Sequence, residues 1–582
     1  MHLRFVEGYS VAVEGLEPNR AAHGRGRLAH RGRGRRAALG TLGLACLGAS
    51  CAAIAVAACG GATPLLTSSR TAHHPHHGDA RLRPVSAAVS VAPGAKRTPV
   101  PRSYLGLSTE YWALPLWSGE MPLLERTLSL VRVHGEGPLI LRVGGDSADH
   151  AFWDPTAGVD GIRLPPWAFP LAPKWLGQAR ALVRRLGVRL ILDLNLITDT
   201  PGDAAQWARA ASSALPPHSI DAFEVGNEPD VYSRADWLAI TADRGLAGRR
   251  AGRVGAGPVT GAALPGALTT RDYVRDFHAY AAALGQVAPQ VKLAGPALAN
   301  PIHHGRWVTT LIDGARRALG IVTVHRYPFT GCPGRRGTRA YATIGRVLSP
   351  AASTGMAASL RPLVDDAHDA GLPLRLTELN SVNCGGRAGV SDAFATALWA
   401  PNALFALLRA GVDGINLHIR AAAVNAPFAL GPAGLQARPL LYGLILFART
   451  LGPDAQLVAL RSRLSRPAGI GAWAVRVGRN TLHVLLIDSS RRAERVSLRL
   501  PATSMAAVQR LLAPSADARS GVTLGGRALG ADGRWQGVSA HQTVAPRGGA
   551  YVVTVRGMSA ALVSVRVRPG ALGVAPSRRR RY

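Results

Sequence analysis

The chain has 582 residues, a hydrophobic fraction of 47% and a formal net charge of +33. That length exceeds one compact domain and fits two folded domains with tails, and the apolar content excludes a largely disordered chain. The positive charge is almost all arginine (the lysines are Lys96, Lys174 and Lys292) and is scattered rather than striped, which argues against a nucleic-acid binder and leaves attraction of an acidic polysaccharide as a secondary effect.

In chain order, residues 1–36 are polar and basic and end in Arg31-Gly-Arg-Gly-Arg-Arg36. The uncharged stretch from Ala37 to Ala58 follows. Together they read as the basic and apolar regions of an export signal, which predicts an extracellular or cell-surface protein. The stretch closes with Val56-Ala57-Ala58-Cys59-Gly60. A small-residue run ending in cysteine resembles a bacterial lipoprotein cleavage site, with Cys59 as the lipidated residue. A plain signal peptide or an uncleaved anchor are the alternatives, since about 20 apolar residues also span a bilayer. Either way, membrane contact is expected only through this segment. Residues 60–98 read as a linker. Its His73-His74-Pro75-His76-His77 cluster is expected to be solvated rather than metal-binding, because such a segment fixes no coordination geometry. Alternation at Val85–Val91 can add a strand to a later sheet.

Over residues 99–451, short apolar runs alternate with longer helical patterns, the signature of βα units. Strands are predicted at Tyr104–Glu110, Leu139–Val143, Val188–Leu194, Ala222–Gly226, Val291–Gly295, Ile321–His325, Leu374–Glu378 and Gly414–His418. Helices are predicted at Trp175–Leu186, Tyr273–Leu284, Met356–Asp369 and Ala393–Arg409. Eight such strands predict an α/β fold, a (β/α)8 TIM barrel whose active site sits at the C-terminal ends of its strands. Over residues 452–575 the pattern turns all-β, with strands at Trp473–Val477, Thr481–Ile487, Arg495–Leu500 and Ala550–Val555. This reads as a C-terminal β-sandwich. Residues 576–582 form a basic tail.

Two strand ends carry glutamate among turn-forming polar residues. The fourth strand leads into Phe223-Glu-Val-Gly-Asn227-Glu228-Pro229, and the seventh into Thr377-Glu378-Leu-Asn380-Ser381. Strands four and seven face each other across a barrel mouth. Glycosidic cleavage requires two carboxyl groups, one to protonate the leaving oxygen and one to attack or to activate water. Glu228 suits the general acid and base, and Glu378 the nucleophile. Asn227 can bond the sugar 2-hydroxyl. Glu224 reads as a supporting barrel residue. Each glutamate alone could be an ordinary ion-paired residue; the pairing on opposed strands is what carries the expectation.

Gly226-Asn227-Glu228-Pro229 resembles the acid/base signature of clan A barrel glycosidases. The run Thr377-Glu378-Leu379-Asn380-Ser381, Gly385-Gly386 and Ser391-Asp392-Ala393-Phe394-Ala395 narrows the resemblance to glycoside hydrolase family 79, which includes heparanase and bacterial β-glucuronidases. Leu105–Glu110, Leu141–Asp146, Leu293–Pro296 and Val322–Tyr327 add to it. The resemblance implies a retaining hydrolase acting on β-linked glucuronic acid in a glycan, with no metal or organic cofactor. It implies that Glu110, Asp146, Asn227, Asn300, His325, Tyr327 and Asn380 line the sugar site, with Tyr327 bonded to Glu378. Backbone amides around Cys384, Gly385 and Gly386 would hold the sugar carboxylate. Residues 421–428 lack the tyrosine that family members commonly place near that carboxylate, which leaves room for a clan A enzyme of another sugar or a carbohydrate-binding pseudoenzyme. Cys332 and Cys384 follow strands six and seven at one barrel face. In an oxidising compartment they could pair; otherwise they are two free thiols.

Overall fold

The computed structural model of the chain describes residues 87–568, except 93, 134, 157–168, 233–267, 333–334, 422 and 465–468. The export segment, Cys59, most of the linker and the basic tail lie outside the described residues.

Eight parallel strands close into a barrel in sequence order. They are Leu105–Glu110, Ile140–Gly144, Arg189–Leu194, Ile220–Val225, Lys292–Leu298, Leu319–Arg326, Leu374–Leu379 and Gly414–His418. The eighth pairs with the first from Ile415↔Leu105 to His418↔Ser108. All eight predicted strands are present. Their residues are almost all buried, because helices cover the outside and side chains fill the inside. That double burial is why they read as unbroken apolar runs.

Local chemistry fixes the helices between them. Thr200 and Thr269 each cap a helix by accepting the backbone N–H three residues on, while Asp203 and Asp272 reach back to the cap. The helix expected over Met356–Asp369 is two, Thr354–Ser359 and Arg361–Asp369. Pro362 starts the second, where its missing N–H costs nothing, and it disfavours continuation of the helix through the residue before it.

Helices Phe394–Ala410 and Pro439–Thr450 are buried on nearly all sides. A helix apolar all round needs cover all round. These two lie between the barrel and the sandwich, where the Trp473 ring stacks on Phe405 at 5.7 Å and its Nε1–H donates to Asn402 Oδ1 at 2.9 Å. One face of a sandwich sheet, through Trp473, Val475, Leu485 and Ile487, therefore joins the barrel's core, while Val89, Val484, Val496 and Val553 belong to a second core between the two sheets.

The sandwich has two sheets. One orders Arg461–Leu464, Ala87–Ser90, Glu494–Arg499 and Tyr551–Val555. The other runs Arg97–Pro99, Gln456–Val458, Ile470–Val477, Thr481–Asp488, Ser559–Arg566, Ala506–Leu512 and Thr523–Leu524. The stretch read as linker up to residue 98 thus places one strand in each sheet. The strand at Ala87–Ser90 follows from its alternation. Arg97–Pro99 is three residues long and mostly exposed, so no periodicity marks it. No helix among the described residues is long and apolar enough to cross a membrane.

Asp488 ends a central sandwich strand with its Oδ2 buried and unpartnered. Burial pushes its carboxyl up to about 6, with Glu494 adding to the rise against the opposing Ser490 hydrogen bonds. An aspartic acid in the unfolded chain ionises near 4. Between those values the folded state holds the extra proton, so this group lowers stability as pH rises from about 4 to 6, and the loss persists above. Asp488→Asn is expected to raise Tm by about 1–2 °C at pH 8 and to leave it unchanged at pH 4. Scanning calorimetry at the two pH values checks this; a gain that is equal at both would contradict it.

Candidate active site

Arg142, inward on the second barrel strand, has no exposed surface. Its Nε donates to Glu224 at 2.7 Å, Nη1 to Glu378 at 2.7 Å, and Nη2 to Asp193 at 2.7 Å and to Asn227 Oδ1 at 2.9 Å. Strands two, three, four and seven converge on this one guanidinium, whose planar fork supplies the diverging donors. Thr377 Oγ1 donates to the other oxygen of Glu224 at 2.7 Å. Burial and then the neighbouring Glu224 push the Asp193 carboxyl well up, against the pull of Arg142. Gly144 leaves room for this packing: a Cβ there would lie 2.2 Å from Asp193 Cβ.

Glu378 is buried at the end of the seventh strand. Its Oε1 accepts from Arg142, and its Oε2 accepts from the Tyr327 hydroxyl at 2.7 Å. His418 Nδ1 stands 3.5 Å from Oε1, and His325 Nδ1 stands 3.8 Å from Oε2. Burial alone would raise this carboxyl. His418, His325 and Arg142, together with the Tyr327 hydrogen bond, overcome it and hold Glu378 well below the usual carboxylate range. Arg142 is charged at any working pH, so that depression does not depend on the histidines alone. The Tyr327 hydroxyl is pushed well up by burial and by the adjacent Glu378, so it stays a donor.

Glu228 follows the fourth strand in a left-handed backbone conformation, φ +50°. That conformation costs a non-glycine residue, and such cost concentrates at functional positions. It is held from behind. Glu228 N–H donates to Ala297 O at 3.1 Å. The Asp230 carboxylate accepts from Ala299 N–H at 2.8 Å, from Asn300 N–H at 3.0 Å, and contacts His304 Nδ1 at 2.8 Å. In front, Glu228 Oε1 meets His325 Nδ1 at 3.0 Å, and its side chain is 16% exposed. One carboxylate oxygen each from Glu228 and Glu378, with a ring nitrogen of His325, lie within 4.8 Å of one another. These atoms are the grouping a cation would require, but the Arg142 guanidinium against Glu378 opposes a second positive charge there.

Glu110, at the end of the first strand, accepts from Ser147 N–H at 2.9 Å, with His418 Nε2 and Arg420 Nε each 3.6 Å away. Burial opposes its ionisation, but the adjacent His418 and the Arg420 charge lower its carboxyl overall. Asp146 lies at the same mouth, and burial followed by the Glu110 charge raises it to about 6. Asn227 is buried, and its Nδ2 has no partner among the described residues, leaving two donors free.

Cys332 and Cys384 are joined as a disulfide, with Cα atoms 5.3 Å apart. It ties the loops after strands six and seven. Gly385 and Gly386 follow at φ +71° and +95°. A Cβ on Gly386 would meet Asn425 Cβ at 2.8 Å, so only glycine fits. Gly386 N–H bonds Asn383 O. The Cys384 and Gly385 N–H groups make no hydrogen bond among the described residues.

Glu110, Asp146, Asn227, Glu228, His325, Tyr327 and Glu378 therefore come together at the mouth. Two expected sugar contacts do not. Asn300 is exposed at the rim. Asn380 is wholly buried, its amide donating to His418 O and Asn425 O at 3.0 Å each while Oδ1 accepts from Ser381 N–H, so it anchors the loops. Sequence reasoning missed Arg142, Asp193, His418 and Arg420 as site residues. The available signal was charge in or at the end of an otherwise apolar strand.

Three comparisons place this geometry among known proteins. Residues 473–562 match the glycosyl hydrolase family 79 C-terminal beta domain. The chain is 24% identical over 506 residues to a beta-glucuronidase of Aspergillus niger, covering 78% of this chain and 88% of that protein. A crystal structure of a 4-O-alpha-L-rhamnosyl-beta-D-glucuronidase from Fusarium oxysporum superposes with a TM-score of 0.63 at 16% identity, over 82% of this chain and all of that one. An alpha-L-arabinofuranosidase from Thermotoga maritima superposes with a TM-score of 0.59 at 15% identity, over 83% and all of the respective chains. At such identities the structural matches speak for the barrel-and-sandwich fold.

Proposed function

From the premise that the chain belongs to glycoside hydrolase family 79, we propose that it is a retaining hydrolase of β-linked glucuronosyl residues in glycans, with Glu378 as nucleophile and Glu228 as acid and base. The observation that carries this is the pair of carboxylate oxygens within 4.8 Å of one another across the mouth. Retaining enzymes bring their carboxyls to about 5–5.5 Å, whereas inverting ones leave about 6.5–9.5 Å for a water.

In the first step Glu378 attacks the anomeric carbon while Glu228 gives its proton to the leaving oxygen. In the second, Glu228 takes a proton from water as the water displaces Glu378. Arg142 and Tyr327 hold the two oxygens of Glu378 in place, so its attack is pre-aligned. His325 orients Glu228. The free amide of Asn227 reaches toward the sugar 2-hydroxyl, where a hydrogen bond that tightens in the transition state helps most. The chain's positive charge favours an acidic glycan over a neutral one.

Release of nitrophenol from a panel of aryl β-glycosides tests the reading, with the glucuronide expected to be cleaved selectively. Selective cleavage of another glycoside would keep the two carboxylates and move the specificity. Glu228→Ala is expected to slow substrates with poor leaving groups by about 10³-fold, and activated aryl glycosides far less, because only the former need the proton. Equal losses on both would remove Glu228 from the acid role.

The basic segment, the apolar run to Ala58 and the Cys332–Cys384 disulfide support an exported protein in an oxidising compartment. Lipidation of Cys59 is part of this proposal. Mass spectrometry of the mature amino terminus from a bacterial host tests it, and a terminus at another residue without lipid would refute it.

A further inference from the structure

Four carboxylates meet at the mouth: Glu110, Asp146, Glu228 and Glu378. A negatively charged sugar entering among them needs a cation with donors to give. Arg142 cannot serve, since every nitrogen of its guanidinium is engaged and it has no exposed surface.

Arg420 differs. It follows the eighth barrel strand by two residues, after His418 and Ile419. Its side chain is 33% exposed, and its Nε lies 3.6 Å from Glu110 Oε1, beyond hydrogen-bond distance. Among the described residues its guanidinium makes no hydrogen bond. It stands among Glu110, Asp146, Glu378 and Tyr327, the groups that act on its charge. The loop that carries it also abuts the turn at Gly385: Asn425 N–H donates to Gly385 O at 3.1 Å, and a Cβ at Gly385 would lie 4.0 Å from that of Ala423. The unengaged N–H groups of Cys384 and Gly385 belong to that turn. Cationic and neutral donors are thus brought to one side of the mouth by two adjoining loops.

We propose that Arg420 is the specificity-determining residue of the site, binding the carboxylate of a uronic acid together with the amides of the 384–385 turn. The inference rests on the glucuronide reading above and deepens it. The guanidinium supplies a charged, planar donor pair that matches a carboxylate. Glu110 keeps the guanidinium near the mouth without using up its donors, so the arginine is positioned before substrate arrives.

The test is the preference of the enzyme for 4-nitrophenyl β-glucuronide over 4-nitrophenyl β-glucoside, as a ratio of kcat/KM, in the wild type, Arg420→Gln and Arg420→Lys. The expected result is a fall in that ratio of about 10- to 100-fold in Arg420→Gln, carried mainly by KM, with partial recovery in Arg420→Lys. Melting curves show whether the variants are folded, and the lysine variant keeps the test decisive if the glutamine one is not. If both substrates fall alike, Arg420 only neutralises Glu110 and the inference is overturned while the glucuronide reading stands. A wild type that prefers a neutral glycoside overturns that reading before any variant is made, and the role of Arg420 with it. Should the wild type turn over neither substrate, calorimetric titration with glucuronate and with glucose replaces kinetics. Glucuronate binding that is lost in Arg420→Gln supports the assignment, and glucuronate binding that is absent or unchanged overturns it.

Discussion

Glu378→Gln is expected to abolish turnover, with a loss in kcat of about 10⁴-fold or more, while the protein stays folded. An amide has nearly the shape of the carboxylate but cannot form the glycosyl-enzyme ester. Its oxygen can still accept from Arg142 Nη1, and its NH2 can donate to the Tyr327 hydroxyl, which is free to accept. Arg142 retains Asp193 and Glu224 as counter-charges, so no uncompensated charge is buried. Activity and melting should therefore separate: turnover of the aryl glucuronide vanishes and Tm moves by a few degrees at most. A Glu378→Gln protein that turned over at a tenth of the wild-type rate would end the assignment of nucleophile. A protein that failed to fold would show that Glu378 supports the barrel more than the contacts around it imply.

Arg142→Met is expected to do the reverse, striking stability first. Removing the guanidinium leaves Asp193, Glu224 and Glu378 facing each other in the barrel interior with no cation, and breaking a buried pair in this way costs about 3–5 kcal/mol. The carboxyls would respond by holding protons to higher pH than they do in the unfolded chain. For such groups the folded state binds more protons, so stability falls as pH rises through their raised values. The variant should accordingly lose more stability at pH 8 than at pH 5.5, and urea unfolding at the two values reads the difference. Arg142→Lys should rescue little, because one ammonium cannot direct donors to four partners carried by three strands. Urea midpoints for Arg142→Met equal to those of the wild type would show that the network contributes nothing net.

The barrel was legible because its strands are buried on both faces and end in polar, turn-forming residues. Leu374–Glu378 and Gly414–His418 carry that pattern without ambiguity. The sandwich was less so. Its strand Ala506–Leu512 reads Ala-Ala-Val-Gln-Arg-Leu-Leu, which suits a helix as well as a strand, and Gln456–Val458 is too short to show a period. At the mouth, Glu228 and Glu378 sit in local motifs, and local motifs are what a sequence displays. The hub at Arg142 is not local. Its partners lie 51, 82, 85 and 236 positions away, and nothing in Leu141-Arg142-Val143 says which carboxylates the barrel will bring to it. Asn380 fails in the opposite sense: the motif around it is strong, but the contacts of its amide with His418 O and Asn425 O depend on the end of the eighth strand and the loop after it, 38 and 45 residues on. Arg420 carries no motif, and only its place after the eighth strand gives it meaning.

The strand at Ala87–Ser90 is an interior one, hydrogen-bonded on one side to Arg461–Leu464 and on the other to Glu494–Arg499. It is made before the barrel and finds its partners about 400 residues later, the kind of distant pairing that slows folding. The barrel and sandwich are consequently not separable modules: a version begun at the first barrel strand would open a sheet in its middle. The order of synthesis also matters. The Ala87–Ser90 strand stays unpaired until partners about 400 residues further on have been synthesised, so the sheet it belongs to closes only after the whole barrel sequence has been made.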